Sequence, residues 1–271
     1  MQIRSTQLTL LRTVHAVSAA PGGGRTRPVT IPFLRGEADL PEDSGLEAVI
    51  VLSDMQHYET APRPGTARRL ISHSLAETLA AMGEDESIPP PAATGIILAG
   101  DLHAEPDLTL RGGIGDVQDI WLDFAQRFRW VAGVAGNHDL FHGQARFPDS
   151  FDAMPDVHAL HGRSVVVDGL RIAGYSGISG NPRKPWRNLE TDTRRILGDL
   201  LAQHPDMLVL HQGPDEGSED DLIGEILATH GPALPLVIFG HRHWSEPLHH
   251  RGKTTLLSVD SRVILLTRPS P

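Results

Sequence analysis

Five short segments of the chain carry side chains that bind metal ions, and each segment follows an apolar run that is typical of a buried strand. They are Ser53-Asp54-Met55-Gln56, Gly100-Asp101, Gly136-Asn137-His138-Asp139, His211 and Gly240-His241-Arg242-His243. Consecutive strand ends meet at one edge of an α/β sheet, which is where such sheets hold their ligands. We therefore expect one site built from carboxylate, amide and imidazole groups.

Two divalent cations about 3.5–4 Å apart form a known device for phosphoryl transfer, and they need a bridging carboxylate as well as ligands for each ion. Oxygen ligands and imidazole suit Mn, Fe, Zn, Ni or Co, and thiolate is not required. This matters because the chain of 271 residues has no cysteine. The candidate ligands are Asp54, Asp101, Asn137, His211, His241 and His243.

The order of these motifs resembles the calcineurin-like metallophosphoesterase superfamily, whose pattern is D-x-H, G-D, G-N-H-D/E, a lone His and G-H-x-H. The resemblance covers residues 48–245 approximately. It implies an α/β fold, a four-layer αββα sandwich of two mixed β-sheets flanked by helices. It also implies that Asp101 bridges the two metals. The other ligands would divide between the ions, with Asp54 and His243 on the first and Asn137, His211 and His241 on the second.

The resemblance implies a different role for the rest of the third motif. His138 would act on the substrate rather than bind metal, and Asp139 would orient the His138 ring by accepting a hydrogen bond from it. The chain departs from the family at Gln56, where most members have histidine. We assign this ligand position to Gln56, and the alternative is His57 re-aimed by a one-residue bulge. Asp54-Met55-Gln56 followed by Tyr58 resembles the manganese-dependent ADP-ribose/CDP-alcohol diphosphatase subgroup.

The function that follows is hydrolysis of phosphoesters by a dinuclear metal centre, as a phosphatase or phosphodiesterase, with a hydroxide held by the metals attacking phosphorus in line. Manganese is the expected metal, and Fe, Zn, Ni, Co or Mg are alternatives. The first alternative function is a nucleotide diphosphatase that acts on ADP-ribose-like substrates. A scaffold that has lost catalysis is a further alternative, although the motifs retain His138.

Substrate contacts are predicted outside the five motifs. His103 follows the bridging motif directly. A loop at 177–187 carries Arg183 and Lys184, which could neutralise a distal phosphate, and Trp186, which could stack on a base. The alternative interpretation of this segment is a solvated basic loop.

Composition limits the partners. The formal net charge of −10 argues against a broad nucleic-acid-binding face, and no apolar run approaches the about 20 residues that span a bilayer. We expect a small phosphorylated substrate, of which a nucleotide is one example. The absence of cysteine and of a signal-peptide pattern favours a cytoplasmic protein. The sequence does not set the oligomeric state.

The chain divides into an N-terminal extension at 1–45 and a phosphoesterase domain at 46–271. The extension is either a hairpin or a flexible leader, and in both cases it carries no chemistry. Helices are predicted from Ile71 to Gly83, after a cap at Asp116, over Leu189–Ala202 and from Ser218. Hairpins are predicted around Asp168-Gly169 and over Thr254–Thr267, the second turning at Asp260-Ser261.

Overall fold

The computed structural model describes residues 1–20, 24–60, 68–105, 112–216, 221–231 and 234–269. The helices are α1 (Ile71–Glu84), α2 (Gln118–Arg127), α3 (Glu190–Leu201) and α4 (Leu222–His230), with 3-10 turns at Glu42–Ser44, Pro91–Ala93 and Asp149–Ala153. The strands, in chain order, are β1 (Thr9–Ala19), β2 (Thr26–Glu37), β3 (Ala48–Ser53), β4 (Tyr58–Glu59), β5 (Thr94–Leu98), β6 (Gly115–Asp116), β7 (Trp130–Gly133), β8 (Asp139–Leu140), β9 (Val157–Ala159), β10 (Arg163–Val167), β11 (Leu170–Tyr175), β12 (Ile178–Ser179), β13 (Arg187–Asn188), β14 (Met207–Gln212), β15 (Leu236–Gly240), β16 (Leu248–Arg251), β17 (Thr254–Ser258) and β18 (Arg262–Thr267).

Two large mixed sheets organise these strands. The first has the order β4-β1-β2-β18-β3-β5-β7-β9, and the second has the order β10-β11-β14-β15-β17-β16. Strands β3, β5, β7 and β9 run parallel in the first sheet, and β11, β14, β15 and β17 run parallel in the second. The parallel strands of each sheet therefore end together, at the edge where the sequence motifs lie.

The two sheets pack face to face with helices on their outer faces. Alternate residues of a strand point to opposite faces, so β3 packs against the second sheet on one face and against helices on the other. The interior between the sheets contains Val49, Val51, Ile97 and Ala132 of the first sheet and Ile172, Val209, Ile238 and Leu257 of the second. The outer face of the first sheet packs Ile50, Leu52 and Ile96 against Leu75 and Leu79 of α1 and Ile120 and Phe124 of α2. The outer face of the second packs Leu208, Leu210 and Val237 against Leu197 and Leu201 of α3 and Ile223 and Leu227 of α4. The predicted four-layer αββα sandwich is confirmed.

The N-terminal residues form a hairpin, which is one of the two alternatives that the sequence allows. Strands β1 and β2 pair antiparallel, and β2 continues into the first sheet by pairing parallel with β18. At the other edge of the hairpin, β1 pairs with β4, which directly follows the first metal motif. The division of the chain at residue 45 stays a prediction, but the hairpin is hydrogen-bonded into the same sheet as β3, β5 and β7.

The predicted C-terminal hairpin is wrong. Strand β17 belongs to the second sheet, where it lies between β15 and β16, and β18 belongs to the first, where it lies between β2 and β3. The residues between them, Asp260 and Ser261, cross from one sheet to the other instead of turning a hairpin. Both strands are fully buried, so their apolar pattern shows burial but does not show which sheet each joins.

The other predicted elements differ from the structure only at their ends. The hairpin at Asp168-Gly169 is confirmed, with φ values of 48° and 78° as a two-residue turn requires. Asp116 accepts a hydrogen bond from the backbone N–H of Gln118, but the helix N-cap is the next residue, Val117. Helix α4 is capped by Asp221, and the predicted cap Ser218 lies outside the described residues. No helix in the described ranges is long and apolar enough to cross a membrane.

Candidate active site

The carboxyl ends of the parallel strands bring the motif residues together from both sheets. Asp54 and Asp101 follow β3 and β5 of the first sheet, and His211 and His241 lie at the ends of β14 and β15 of the second. Two hydrogen bonds join the sheets here. The His211 ring donates through Nδ1 to the carbonyl of Ala99 at 2.8 Å. The backbone N–H of His241 donates to Asp54 Oδ2 at 2.9 Å.

Asp101 lies at the centre of the cluster. The ligand atoms of Asp101, His211 and His241 all lie within 4.8 Å of one another. Asp101 Oδ2 is 3.3 Å from His211 Nε2 and 3.4 Å from the side-chain nitrogen of Gln56. Because only a donor can bond to the Ala99 carbonyl, the His211 proton belongs on Nδ1, which leaves Nε2 facing Asp101 as an acceptor in the neutral ring.

The electrostatics of the cluster favour added positive charge. Burial, Asp260 and Asp101 raise the pKa of Asp54 well above its ordinary value. Burial lowers the pKa of His211, but the carboxylates of Asp101 and Asp54 outweigh burial and raise it. Burial and His211 lower the pKa of His241 to about 4, so its ring is neutral near pH 7 and keeps a lone pair. A divalent cation would supply the positive charge that Asp54 and His211 otherwise obtain from protons.

Two further observations fit a metal centre. Asn137 is buried, and among the described residues its side-chain oxygen has no hydrogen-bond partner. A buried oxygen without a partner is expected where a cation binds. The motif glycines allow the carboxylates to approach the backbone closely. A Cβ at Gly136 would lie 2.0 Å from Asp101 Oδ1, and one at Gly240 would lie 2.3 Å from Asp54 Oδ2. The donor set of carboxylate, amide and imidazole suits divalent transition metals.

A cavity of about 340 Å³ gives access to this cluster. Its lining includes the motif side chains together with polar residues from the N-terminal hairpin and from the crossover between the sheets: Ser18, Arg27, Asp54, Gln56, His57, Asp101, Gly112, His138, His241, Asp260 and Ser261. The volume lies within the usual range for small-ligand pockets. The candidate metal ligands in this lining are Asp54, Gln56, Asp101 and His241, which we call the metal-binding floor. The other lining residues form the rim of the cavity.

The comparison with protein families matches residues 48–245 to the calcineurin-like phosphoesterases. The chain belongs to the calcineurin-like phosphoesterase family. It is accordingly a metal-dependent phosphoester hydrolase. Among solved structures, TT1561 of Thermus thermophilus has a TM-score of 0.53 and 16% identity, with 80% of this chain and 90% of that chain covered. A dimetal phosphatase from Danio rerio has a TM-score of 0.45 and 10% identity, with 79% and 87% covered. The comparison with curated proteins finds no match.

The predicted role of Asp139 is wrong in the structure of this phosphoesterase. Its carboxylate does not hydrogen-bond to the His138 ring. Asp139 Oδ2 accepts from the backbone N–H groups of Asp101 and Gly136, both at 2.8 Å, and Oδ1 accepts from that of Leu102 at 2.8 Å. Asp139 is fully buried and joins the loops after β5 and β7. These hydrogen bonds fix the backbone beside the candidate ligands Asp101 and Asn137.

The side chain of His138 lines the cavity. Its Nε2 is 4.0 Å from Asp101 Oδ2, and its backbone N–H donates to Asp101 Oδ1 at 3.0 Å. Within the described ranges its Nδ1 has no hydrogen-bond partner. The main chain of His138 thus supports the Asp101 carboxylate, while its imidazole lines the cavity.

The structure does not bring His243 to the cluster. Its side chain is 63% exposed, and its Nδ1 lies 3.4 Å from Asp260 Oδ2. Gln56 and His57 both line the cavity, but Gln56 is the one whose side chain bonds to Asp101. The assignment of these residues as ligands stays a prediction, with His243 as the least favoured by position.

The predicted substrate contacts lie elsewhere. His103, Arg183, Lys184 and Trp186 are not among the described residues that line the cavity. Trp186 is buried, and its indole N–H donates to the carbonyl of Asp139 at 2.7 Å, so the predicted stacking on a base is not supported by its position. Arg183 and Lys184 are exposed, as expected of a solvated loop.

Sequence reasoning missed four residues that contribute polar side chains to the cavity. Asp260 and Ser261 lie on the crossover where the sequence predicts a hairpin turn, and the Ser261 hydroxyl donates to the Asp54 carbonyl at 3.3 Å. Ser18 and Arg27 lie on the hairpin, for which the sequence predicts no chemistry. The polar break at Asp260-Ser261 between two apolar runs was a usable signal. Neither Ser18 nor Arg27 has a comparable local signal.

Proposed function

We propose that the chain hydrolyses phosphoesters at a centre of two divalent cations, with manganese as the expected metal. The proposed ligands are Asp54, Gln56, Asp101, Asn137, His211 and His241. The observation that supports this most strongly is the buried cluster of Asp101, His211 and His241, whose ligand atoms lie within 4.8 Å of one another. Asp101, which already faces several of the other proposed ligands, is the proposed bridge.

Gln56 supports the assignment of the first motif. Its side-chain nitrogen lies 3.4 Å from Asp101 Oδ2. A half-turn of the amide exchanges this nitrogen for the oxygen, which is the atom that binds a hard cation. An amide oxygen in place of the usual imidazole favours manganese or magnesium over zinc. If Gln56 is the ligand of the first motif, a preference for manganese or magnesium follows from its amide oxygen.

The residues of the cavity have distinct chemical roles in the proposed reaction. Divalent cations bound there supply positive charge that polarises a phosphoryl group and acidifies water. Asp139 holds the loops after β5 and β7 in register through its three backbone hydrogen bonds. His138 faces the cavity, where its ring can donate a proton or hydrogen bond to the leaving oxygen when the phosphorus–oxygen bond breaks.

One experiment separates binding of metal from chemistry. The chain is loaded with Mn²⁺, and metal content and hydrolysis of bis-p-nitrophenyl phosphate are measured for wild type, Asp101→Asn, His138→Ala and, as a control, Asp192→Asn on the exposed face of α3. Asp101→Asn should lose metal and nearly all activity together. His138→Ala should keep its metal and lose about 10²–10⁴ in kcat. An Asp101→Asn variant with two metals and wild-type turnover would contradict the proposal.

A further inference from the structure

The N-terminal hairpin supplies two residues to the active-site cavity. Ser18 near the end of β1 and Arg27 near the start of β2 are direct cross-strand partners, and both line the cavity with Asp54 and Asp101. The hairpin precedes the matched family region, which begins at residue 48. This part of the cavity is therefore an addition to the family motifs.

The hairpin is attached to the loop that carries the first proposed ligands. Strand β1 pairs with β4 through Val17 opposite Tyr58, and Tyr58 lies two residues after Gln56. The Ser18 hydroxyl lies 3.5 Å from the backbone carbonyl of Gln56. The Tyr58 hydroxyl donates to the carbonyl of Ala104 at 2.9 Å, in the segment that follows Asp101. These contacts fix the hairpin relative to the metal-binding floor.

Arg27 has a charge that is available to a ligand. Its side chain is exposed, and no ion pair or hydrogen bond of the guanidinium is formed with the residues that the structure describes. The other charged groups of the lining are Asp54, Asp101 and Asp260 together with imidazoles. None of these three carboxylates forms an ion pair with Arg27 in the part of the chain that the structure describes. An arginine beside such a floor presents a planar fork that matches phosphate oxygens.

We propose that Arg27, assisted by the Ser18 hydroxyl, forms a subsite for a second phosphate of the substrate, next to the phosphoryl group that reacts. The inference rests on the proposed hydrolase function and names its substrate class, which is a diphosphate-linked ester. Water adds to one phosphorus, the P–O bond to the bridging oxygen breaks, and that oxygen leaves with the second phosphate. Arg27 binds this leaving phosphate and offsets its growing charge, while water provides the proton and hydroxide that balance the reaction.

The test compares two substrates that differ in the second phosphate. Diadenosine diphosphate carries it and bis-p-nitrophenyl phosphate does not. The quantity measured is the ratio of their kcat/KM values for wild type, Arg27→Ala and Arg27→Lys, with manganese present. Arg25→Ala is the matched control, because Arg25 is an exposed arginine of the same hairpin that does not line the cavity. Thermal unfolding of each variant checks that the hairpin remains folded.

We expect Arg27→Ala to lower kcat/KM for diadenosine diphosphate relative to that for bis-p-nitrophenyl phosphate by at least about tenfold. The reason is that a charge-assisted hydrogen bond is worth about 1.5–3 kcal/mol. Arg27→Lys should recover part of the ratio, and Arg25→Ala should keep that of wild type. An unchanged ratio in Arg27→Ala would overturn the subsite. A wild type that hydrolyses only bis-p-nitrophenyl phosphate would overturn it too, and leave the proposed function standing. A wild type that hydrolyses neither would reject the function itself.

Discussion

The loops after β5 and β7 and the loop after β15 carry motifs of one family, but their side chains are held in different ways. In the first region Asp139 accepts three backbone hydrogen bonds and fixes both loops from within the core. In the second region the backbone N–H of His241 bonds to Asp54, but the side chains of the next two residues are exposed. Arg242 pairs with Asp215 at 3.0 Å, and His243 is 63% exposed.

The difference shows what a buried hydrogen-bonded carboxylate contributes to a site. Where one buried carboxylate satisfies several backbone donors, the candidate ligands beside it are held in one geometry before any cation binds. The main chain after β15 is also anchored, because Arg262 donates to the carbonyl of Trp244 at 2.6 Å and the Ser258 hydroxyl donates to that of Arg242 at 3.2 Å. The His243 side chain itself is exposed, so its rotamer can change when a ligand arrives. We therefore expect the first region to behave as a rigid part of the site and the second to contribute mainly through His241.

The largest effect that sharpens this comparison comes from the two histidines after β15. His241→Ala should reduce bound Mn²⁺ and lower kcat by more than about 100-fold, because its neutral ring faces Asp101 and His211 in the cavity. His243→Ala should cost much less, because its ring is exposed and contacts Asp260 and Arg262. Metal content and hydrolysis of bis-p-nitrophenyl phosphate measure both variants.

A different outcome would break the comparison. If His243→Ala loses as much metal as His241→Ala, the loop after β15 must rearrange on metal binding and bring His243 to the position that the family resemblance implies. His249→Ala serves as the control, since His249 is a surface histidine of β16 that packs beside Trp244 and lies outside the cavity.

The next effect tests the carboxylate that joins the first two loops. Burial and Asp101 raise the pKa of Asp139 to about 6, so it is mostly ionised at pH 7 and can accept from all three backbone donors. Asp139→Asn replaces one acceptor oxygen with an NH2 group, which is a donor and cannot accept a hydrogen bond from the backbone N–H groups that it faces. We expect the free energy of unfolding in urea to fall by about 2–3 kcal/mol, with a loss of kcat.

The matched control for that variant is Asp116→Asn. Asp116 also accepts backbone hydrogen bonds, from Gln118 and Gly143, but it does so at the surface. Water can replace its lost acceptor, so the cost should stay below about 1 kcal/mol. Equal losses in the two variants would show that burial of the Asp139 hydrogen bonds has no special importance.

The sequence was sufficient for those features that depend on local pattern. The apolar runs before each motif identified the strands, and the spacing of Ile71, Leu75 and Leu79 identified α1. The family and the sandwich fold followed from the order of the motifs. Each of these depends on residues that are close in the chain or on a known order.

The features that the sequence did not reveal depend on pairing between distant segments. The pairings of β1 with β4 and of β2 with β18 place the hairpin that brings Arg27 to the cavity, and nothing near Arg27 in the chain predicts them. The separation of β17 and β18 into different sheets has the same cause, since burial looks alike on both. The predicted role of Asp139 is wrong and the predicted stacking of Trp186 is not supported by its position, because both side chains bond to the backbone of other loops, which carries no side-chain signal.

The smallest expected effect concerns a second carboxylate that joins distant segments, at the turn between β10 and β11 and away from the site. Asp168 accepts from the Arg129 guanidinium at 2.6 and 2.8 Å and from the indole N–H of Trp130 at 2.7 Å, and its side chain is 13% exposed. The hydrogen bond from Arg129 lowers its pKa. Asp168→Asn keeps a residue that tolerates the positive φ of the turn, and should destabilise the chain by about 1 kcal/mol at pH 7.

The pH dependence of that loss identifies its origin. A carboxylate with a lowered pKa stabilises the fold fully above its ordinary pKa of about 4, and this contribution is lost as the pH falls through the lowered value. The difference in unfolding free energy between wild type and Asp168→Asn should therefore be constant from pH 7 to pH 5 and shrink below pH 4. Urea unfolding across this range measures it, with the exposed Asp43→Asn as control. A difference that grows on acidification would mean that the Arg129 contact is not what Asp168 contributes. The carboxylate would then resemble Asp139 only in the number of its hydrogen bonds and not in its effect on the fold.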